Sequence, residues 1–191
     1  MGIITVPTVL PEFYGYSKLY DRIDDFGWAY AAFSIVLFLV FTDSCIYWIH
    51  RGLHHPSIYR FIHKPHHAFT TCSPFASHAF HFMDGYFQGL PYHLFVYIFP
   101  LHRAVYLFMF ILVNLWTVSI HDGVCLVPGS VVNGTAHHNE HHAHFTVNYG
   151  QFFTFWDRVC GTYMLPGSAP PIANAPPTES SSGKGKQGKA A

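Results

Sequence analysis

Residues 26–49, FGWAYAAFSIVLFLVFTDSCIYWI, form a run of 24 in which Asp43 is the only charged side chain. As an α-helix the run would be about 36 Å long, enough to cross the hydrocarbon core of a bilayer. Trp28 and Trp48 stand 20 residues apart, which places them about 30 Å from each other, where aromatic anchors meet the two interfaces. Two more apolar stretches, residues 86–101 and 104–120, are separated by Pro100, His102 and Arg103 and read as a helical hairpin whose first arm contains Pro91. Only 10% of the residues are charged, far below the roughly 25% of soluble domains. The chain therefore reads as an all-α integral membrane protein.

Crossing parity places residues 50–84 and everything after His121 on one side. Arg51, Arg60 and Lys64 lie on that side, so the positive-inside rule makes it cytosolic. The sequon Asn133-Gly134-Thr135 would then face the cytosol and stay unmodified, which makes glycosylation a test of topology. Ten basic residues balance ten acidic ones, leaving no polycationic surface for nucleic acid. Cys45, Cys72, Cys125 and Cys160 form no C-x-x-C pair, so neither a disulfide framework nor a thiolate zinc site is indicated. The first residues lack the basic and apolar regions of a cleavable leader. Residues 166–191 carry five prolines and one large apolar residue, the composition of a disordered tail. Three regions result: a juxtamembrane segment 1–25, a membrane and histidine domain 26–165, and the tail 166–191.

All 16 histidines fall between residues 50 and 144. HRGLHH places His50, His54 and His55 at the end of the first apolar run, HKPHH supplies His63, His66 and His67, and HHNEHH contains His138, His141 and His142. On a helix, positions i, i+3 and i+4 share a face, so H-x-x-H-H presents three imidazoles together. Pro65 puts the middle box at a helix start or bend. His81 and His121 are further candidate ligands on the same side, whereas His93, His102 and His144 read as hydrogen-bonded structural residues. Asp43 lies about 10 Å along the helix from His50, too far for contact, and is expected to line a polar cavity.

Neutral imidazoles without cysteine suit a transition metal rather than magnesium or calcium. Three boxes hold more donors than one ion accepts, so a dinuclear centre in a histidine-rich helical cap is expected. Zinc has no redox state to use; beside an apolar pocket, the arrangement suits iron and dioxygen acting on a lipid C–H bond. The chain has neither a G-x-G-x-x-G loop nor a haem attachment motif, so electrons must come from another protein.

The blocks GYSKLYDRIDDFGW, FTDSCIYWIHRGLHHP, HKPHHAFTTCSPFASHAFHFMDG, NLWTVSIHDG and NGTAHHNEHHAHFTVNYGQFFTFWDRVCGTY resemble the fatty acid hydroxylase and sterol desaturase superfamily, and within it the fungal sterol C5-desaturases. The resemblance covers roughly residues 15–163. It implies a multi-pass enzyme of the endoplasmic reticulum, with cytosolic histidine boxes and two irons (zinc being a possible substitute in purified protein). It further implies O2-dependent formation of the C5–C6 double bond in a delta-7 sterol, with electrons from NAD(P)H through cytochrome b5 and its reductase. The implied ligands are His50 with His54 or His55, then His63, His66 and His67, then His121, and His138, His141 and His142, with His81 in addition; no catalytic residue beyond the ligands is implied. A C4-methyl sterol oxidase or lipid hydroxylase of the same superfamily is the alternative, and a membrane metal carrier or inactive fragment is the alternative of another class. Superfamily members carry a further membrane helix before GYSKLY, so the chain is expected to be an N-terminally shortened form.

Overall fold

The computed structural model describes Val6 and residues 10–69, 73–124 and 130–168. Residues 169–191 of the expected tail, together with Cys72 and Cys125, lie outside the described residues. The fold is predominantly helical. The first apolar run becomes α1, Gly27–Leu53, which continues past the expected end and so carries His50 on its last turn. A short helix α2, Pro56–Tyr59, follows, and then two 3-10 turns, His66–Ala68 and Pro74–His78. The hairpin is α3, Phe82–Ile98, with Pro91 buried inside it, and α4, Arg103–His121. α5 spans Thr135–His144 and α6 spans Phe155–Val159. Two-residue strands β1, Leu19–Tyr20, and β2, Leu101–His102, pair in parallel and tie the N-terminal segment to the tip of the hairpin.

α1 packs chiefly on α3. Phe38 and Phe95, both fully buried, meet edge to face with ring centroids 5.1 Å apart, and Ile46, Val96, Met109 and Val113 complete the apolar core. α1 and α4 are long and apolar enough to cross a membrane, and only 33% and 22% of their apolar windows are covered by the rest of the protein. The core helix of a soluble domain would be mostly covered. Phe33, Val36 and Val40 on α1, with Leu107, Ile111 and Leu115 on α4, turn outward.

Asp43 does not line a cavity. Its Oδ1 accepts the backbone N–H groups of Phe152 and Phe153 at 2.7 and 3.2 Å. A carboxylate inside an apolar helix needs donors, and this loop brings them. Asp157, on α6, does the same from the other side, accepting from Tyr149 N and Gly150 N at 2.8 and 2.9 Å. The loop of residues 145–154 therefore hangs from two buried carboxylates. Asn148 bends it with a φ of +53° and fastens it by donating to the carbonyls of His137 and Met164. Asn133 is fully buried and donates to the Gly150 carbonyl. Asn133 is thus packed inside the fold, where a glycan would have no room.

Candidate metal centre

The last turns of α1 and α4, the turns of residues 60–68, and α5 converge at one end of the helices. Only one of the three boxes is helical throughout: His138, His141 and His142 lie on α5. The first box straddles a helix end, with His54 as the C-cap of α1. The middle box bends at Pro65 ahead of its 3-10 turn.

These elements bring nine histidines together in two groups. His50, His54, His63, His67 and His141 form one, and His66, His121, His138 and His142 the other, with the candidate donor atoms of each group within 4.8 Å of one another. In the first group, Nε2 of His63 lies 3.1 Å from that of His50 and 3.2 Å from that of His67, which is 3.1 Å from that of His54. In the second, Nε2 of His121 lies 2.8 Å from that of His138 and 3.4 Å from that of His66. The groups adjoin, since the rings of His67 and His142 have centroids 4.6 Å apart.

The protons show what these contacts are. His50 Nδ1 faces the Tyr149 carbonyl at 3.0 Å, His121 Nδ1 the Thr117 carbonyl at 2.7 Å, and His141 Nδ1 the Val147 carbonyl at 2.7 Å. His63 Nδ1 faces Asp84 Oδ2 at 2.6 Å. Each partner only accepts, so each Nδ1 carries the ring's proton and each Nε2 is a bare lone pair. His50 and His63 thus point lone pairs at each other, and His141 Nε2 is buried without a hydrogen-bond partner. Converging lone pairs repel unless a cation lies between them. Two nitrogens each about 2.1 Å from one ion stand about 3.0–3.4 Å apart at octahedral or tetrahedral angles, and most of the observed separations fall there. The donor set fits two transition-metal ions held by imidazole nitrogen.

Burial, reinforced by neighbouring histidines, lowers the pKa of His66, His67, His138 and His141 well below the usual histidine value, and those of His54 and His142 to about 3. The rings are therefore held neutral, the form that binds metal.

His55 and His81 enter neither group. Each precedes a helix and accepts a backbone N–H with Nδ1, from Ser57 for His55 and from Met83 for His81. Pro56 at the first position of α2 was the available signal for His55, because proline there marks a helix start. His93, His102 and His144 also stay outside, paired with Tyr106, the Asp21 carbonyl and Glu140. Sequence reasoning missed Asp84, which is fully buried and also accepts from Gln88. Its signal was an acid at the start of an apolar stretch among histidines. The carbonyls of Thr117, Val147 and Tyr149 carry no sequence signal, since any residue offers one.

A cavity of about 300 Å³ opens on the centre. Three members of the second group, His66, His121 and His138, line it, and only His50 from the first. Farther in, Ile46, Tyr92, Phe110 and Val113 make its walls.

The fatty acid hydroxylase family model matches residues 35–162, which include every residue of both histidine groups. The lathosterol oxidase of Mus musculus is 56% identical over 173 residues, covering 86% of this chain and 58% of its own length. Delta(7)-sterol 5(6)-desaturases of Aspergillus fumigatus and Schizosaccharomyces pombe are 52% and 53% identical, each match covering 87% of this chain and 47% and 50% of the relative. The chain thus spans about half the length of the curated relatives it matches. No solved structure matches it. With the family match extending over two thirds of the sequence and over all nine clustered histidines, the chain belongs to the fatty acid hydroxylase family.

Proposed function

We propose that this chain is the catalytic core of a membrane sterol C5-desaturase, which introduces the C5–C6 double bond into a delta-7 sterol. The observation that carries this reading is the cavity, whose lining is largely apolar and includes three of the four histidines of the second group. The names of the curated relatives supply the substrate class. The outward apolar faces of α1 and α4 support a multi-pass membrane setting, Arg51, Arg60 and Lys64 beside the boxes support a cytosolic centre, and the endoplasmic reticulum is the membrane the family resemblance implies.

The nine clustered histidines would hold two irons. Bound iron supplies one-electron chemistry with dioxygen, which zinc with its single oxidation state does not. The chain's own part is placement. Carbonyls of Thr117, Val147 and Tyr149 and the carboxylate of Asp84 fix ring orientation, so that each Nε2 faces inward. The apolar cavity wall excludes water and lays the ring system against the second group, which leaves the first group more enclosed. Two hydrogens from the sterol, two electrons from a donor protein and two protons together reduce O2 to two waters. NAD(P)H acting through a reductase and cytochrome b5 fits that need, since the chain carries no nucleotide loop of its own.

The test is sterol profiling of a C5-desaturase-deficient yeast that expresses this chain. Delta-5,7 sterol should appear and should vanish with His66→Ala at equal protein level. Equal product from His66→Ala, or none from the unmodified chain with both metals loaded, rejects the reading.

A further inference from the structure

The cavity wall carries a polar pair that the histidine centre does not use. His78 ends the turn Pro74–His78, which packs on α4, and its Nε2 lies 3.3 Å from Oδ1 of Asn114 on that helix. Both side chains line the cavity. Ser77 Oγ lies 2.6 Å from the Pro74 carbonyl, to which it donates, and 2.9 Å from His78 Nδ1; in the tautomer that carries its proton on Nδ1, Ser77 accepts it and Nε2 is an acceptor. Asn114 cannot turn its amide to help, because Nδ2 donates to the Phe110 carbonyl at 2.7 Å. In that tautomer two acceptors face each other at the cavity, and a donor placed between them would satisfy both.

We propose that His78 and Asn114 form the subsite for the sterol's 3-hydroxyl, which supplies that donor; the proposal rests on the desaturase reading and names the part of the substrate that this wall selects. A ketone or an ether of similar size offers only further acceptors. The depth also fits. Asn114 precedes His121 by seven residues, about 10 Å along the helix, and the Phe80 ring lies between His78 and His66 with centroids 6.0 and 6.1 Å from theirs. In a sterol, C5 is three bonds from the hydroxyl oxygen, a reach of about 3.8 Å, and a further contact distance of about 3–3.5 Å separates the reacting atoms. A hydroxyl anchored at this pair therefore leaves C5 and C6 at the second histidine group. Other polar groups on the lining are already paired: Gln151 donates to Thr117 at 2.9 Å, and His93 Nδ1 lies 2.8 Å from the Tyr106 hydroxyl. His93 also lies nine residues beyond Asp84, about 14 Å deeper along α3, where an anchored hydroxyl would hold C5 away from the metals.

The experiment measures binding of three delta-7 sterols to the iron-loaded protein in nanodiscs, one with a 3-hydroxyl, one with a 3-keto group and one with hydrogen at C3, and follows C5–C6 desaturation in parallel with O2, NADH, cytochrome b5 and its reductase supplied. The hydroxyl form should bind about tenfold more tightly than the other two, the scale of one net hydrogen bond. Asn114→Leu and His78→Phe should each abolish that preference, with iron content and affinity for the 3-deoxy sterol unchanged. Absence of the preference in the unmodified protein, or its survival in both variants, overturns the subsite. If the preference behaves as expected but no double bond forms, the subsite stands and the desaturase reading fails. Desaturation of all three sterols without regard to the C3 group overturns the subsite and leaves the desaturase reading standing.

Discussion

His63 Nδ1 donates to Asp84 Oδ2 at 2.6 Å, and both side chains are fully buried. The carboxylate turns the His63 lone pair toward His50 and His67, and makes that ring a stronger donor to a cation. Asp84→Asn keeps the shape and removes the charge. It should weaken metal binding by about 10–100-fold, measured by competition with a chelator, while Gln88→Ala should have a much smaller effect. Unchanged affinity in Asp84→Asn would mean that the contact only fills space.

Acid should destabilise the metal-free protein. His54 and His142 have pKa values of about 3 in the fold against 6.5 for an unhindered histidine. Below pH 6.5 the unfolded chain takes up protons that the folded chain refuses, so stability falls from there down to about pH 3, and above pH 6.5 these two groups contribute no slope. Thermal unfolding of apo protein from pH 8 to pH 4 checks this. A melting temperature that rises on acidification contradicts the neutral cluster.

Gly150→Ala should be severe. A Cβ at that position would collide with the Phe153 carbonyl oxygen and stand 3.0 Å from Asp157 Oδ2, so the loop must move. That loop delivers the Tyr149 and Val147 carbonyls to His50 and His141. A loss of about 1–3 kcal/mol in stability is expected, together with weaker metal retention. Retention unaffected by the substitution would show that the loop does not orient the rings.

Much of the site is legible in the sequence because its signals are local. The apolar run ending at His50 marks the end of α1, and the H-x-x-H-H spacing of His138, His141 and His142 matches one face of α5. Less legible is what happens at helix ends, where one histidine can ligate and its neighbour can cap. His54 joins the first group and His55 caps α2, although they are adjacent in the chain. His81 likewise caps α3. Asp43 is misplaced by a sequence argument because its partners, Phe152 and Phe153, lie about 110 residues away in sequence, and its helix alone offers no donor. Asp84 escapes notice for the same reason, its partner being on a turn 21 residues earlier.

Elemental analysis of anaerobically reconstituted protein tests the central claim most directly, because the two adjoining histidine groups share no residue and each should hold its own ion. Two irons per chain are expected, falling to one when His121 and His138 are replaced together by Ala, since both belong to the second group alone. One tightly bound metal per chain, unchanged by that double replacement, would contradict the dinuclear centre.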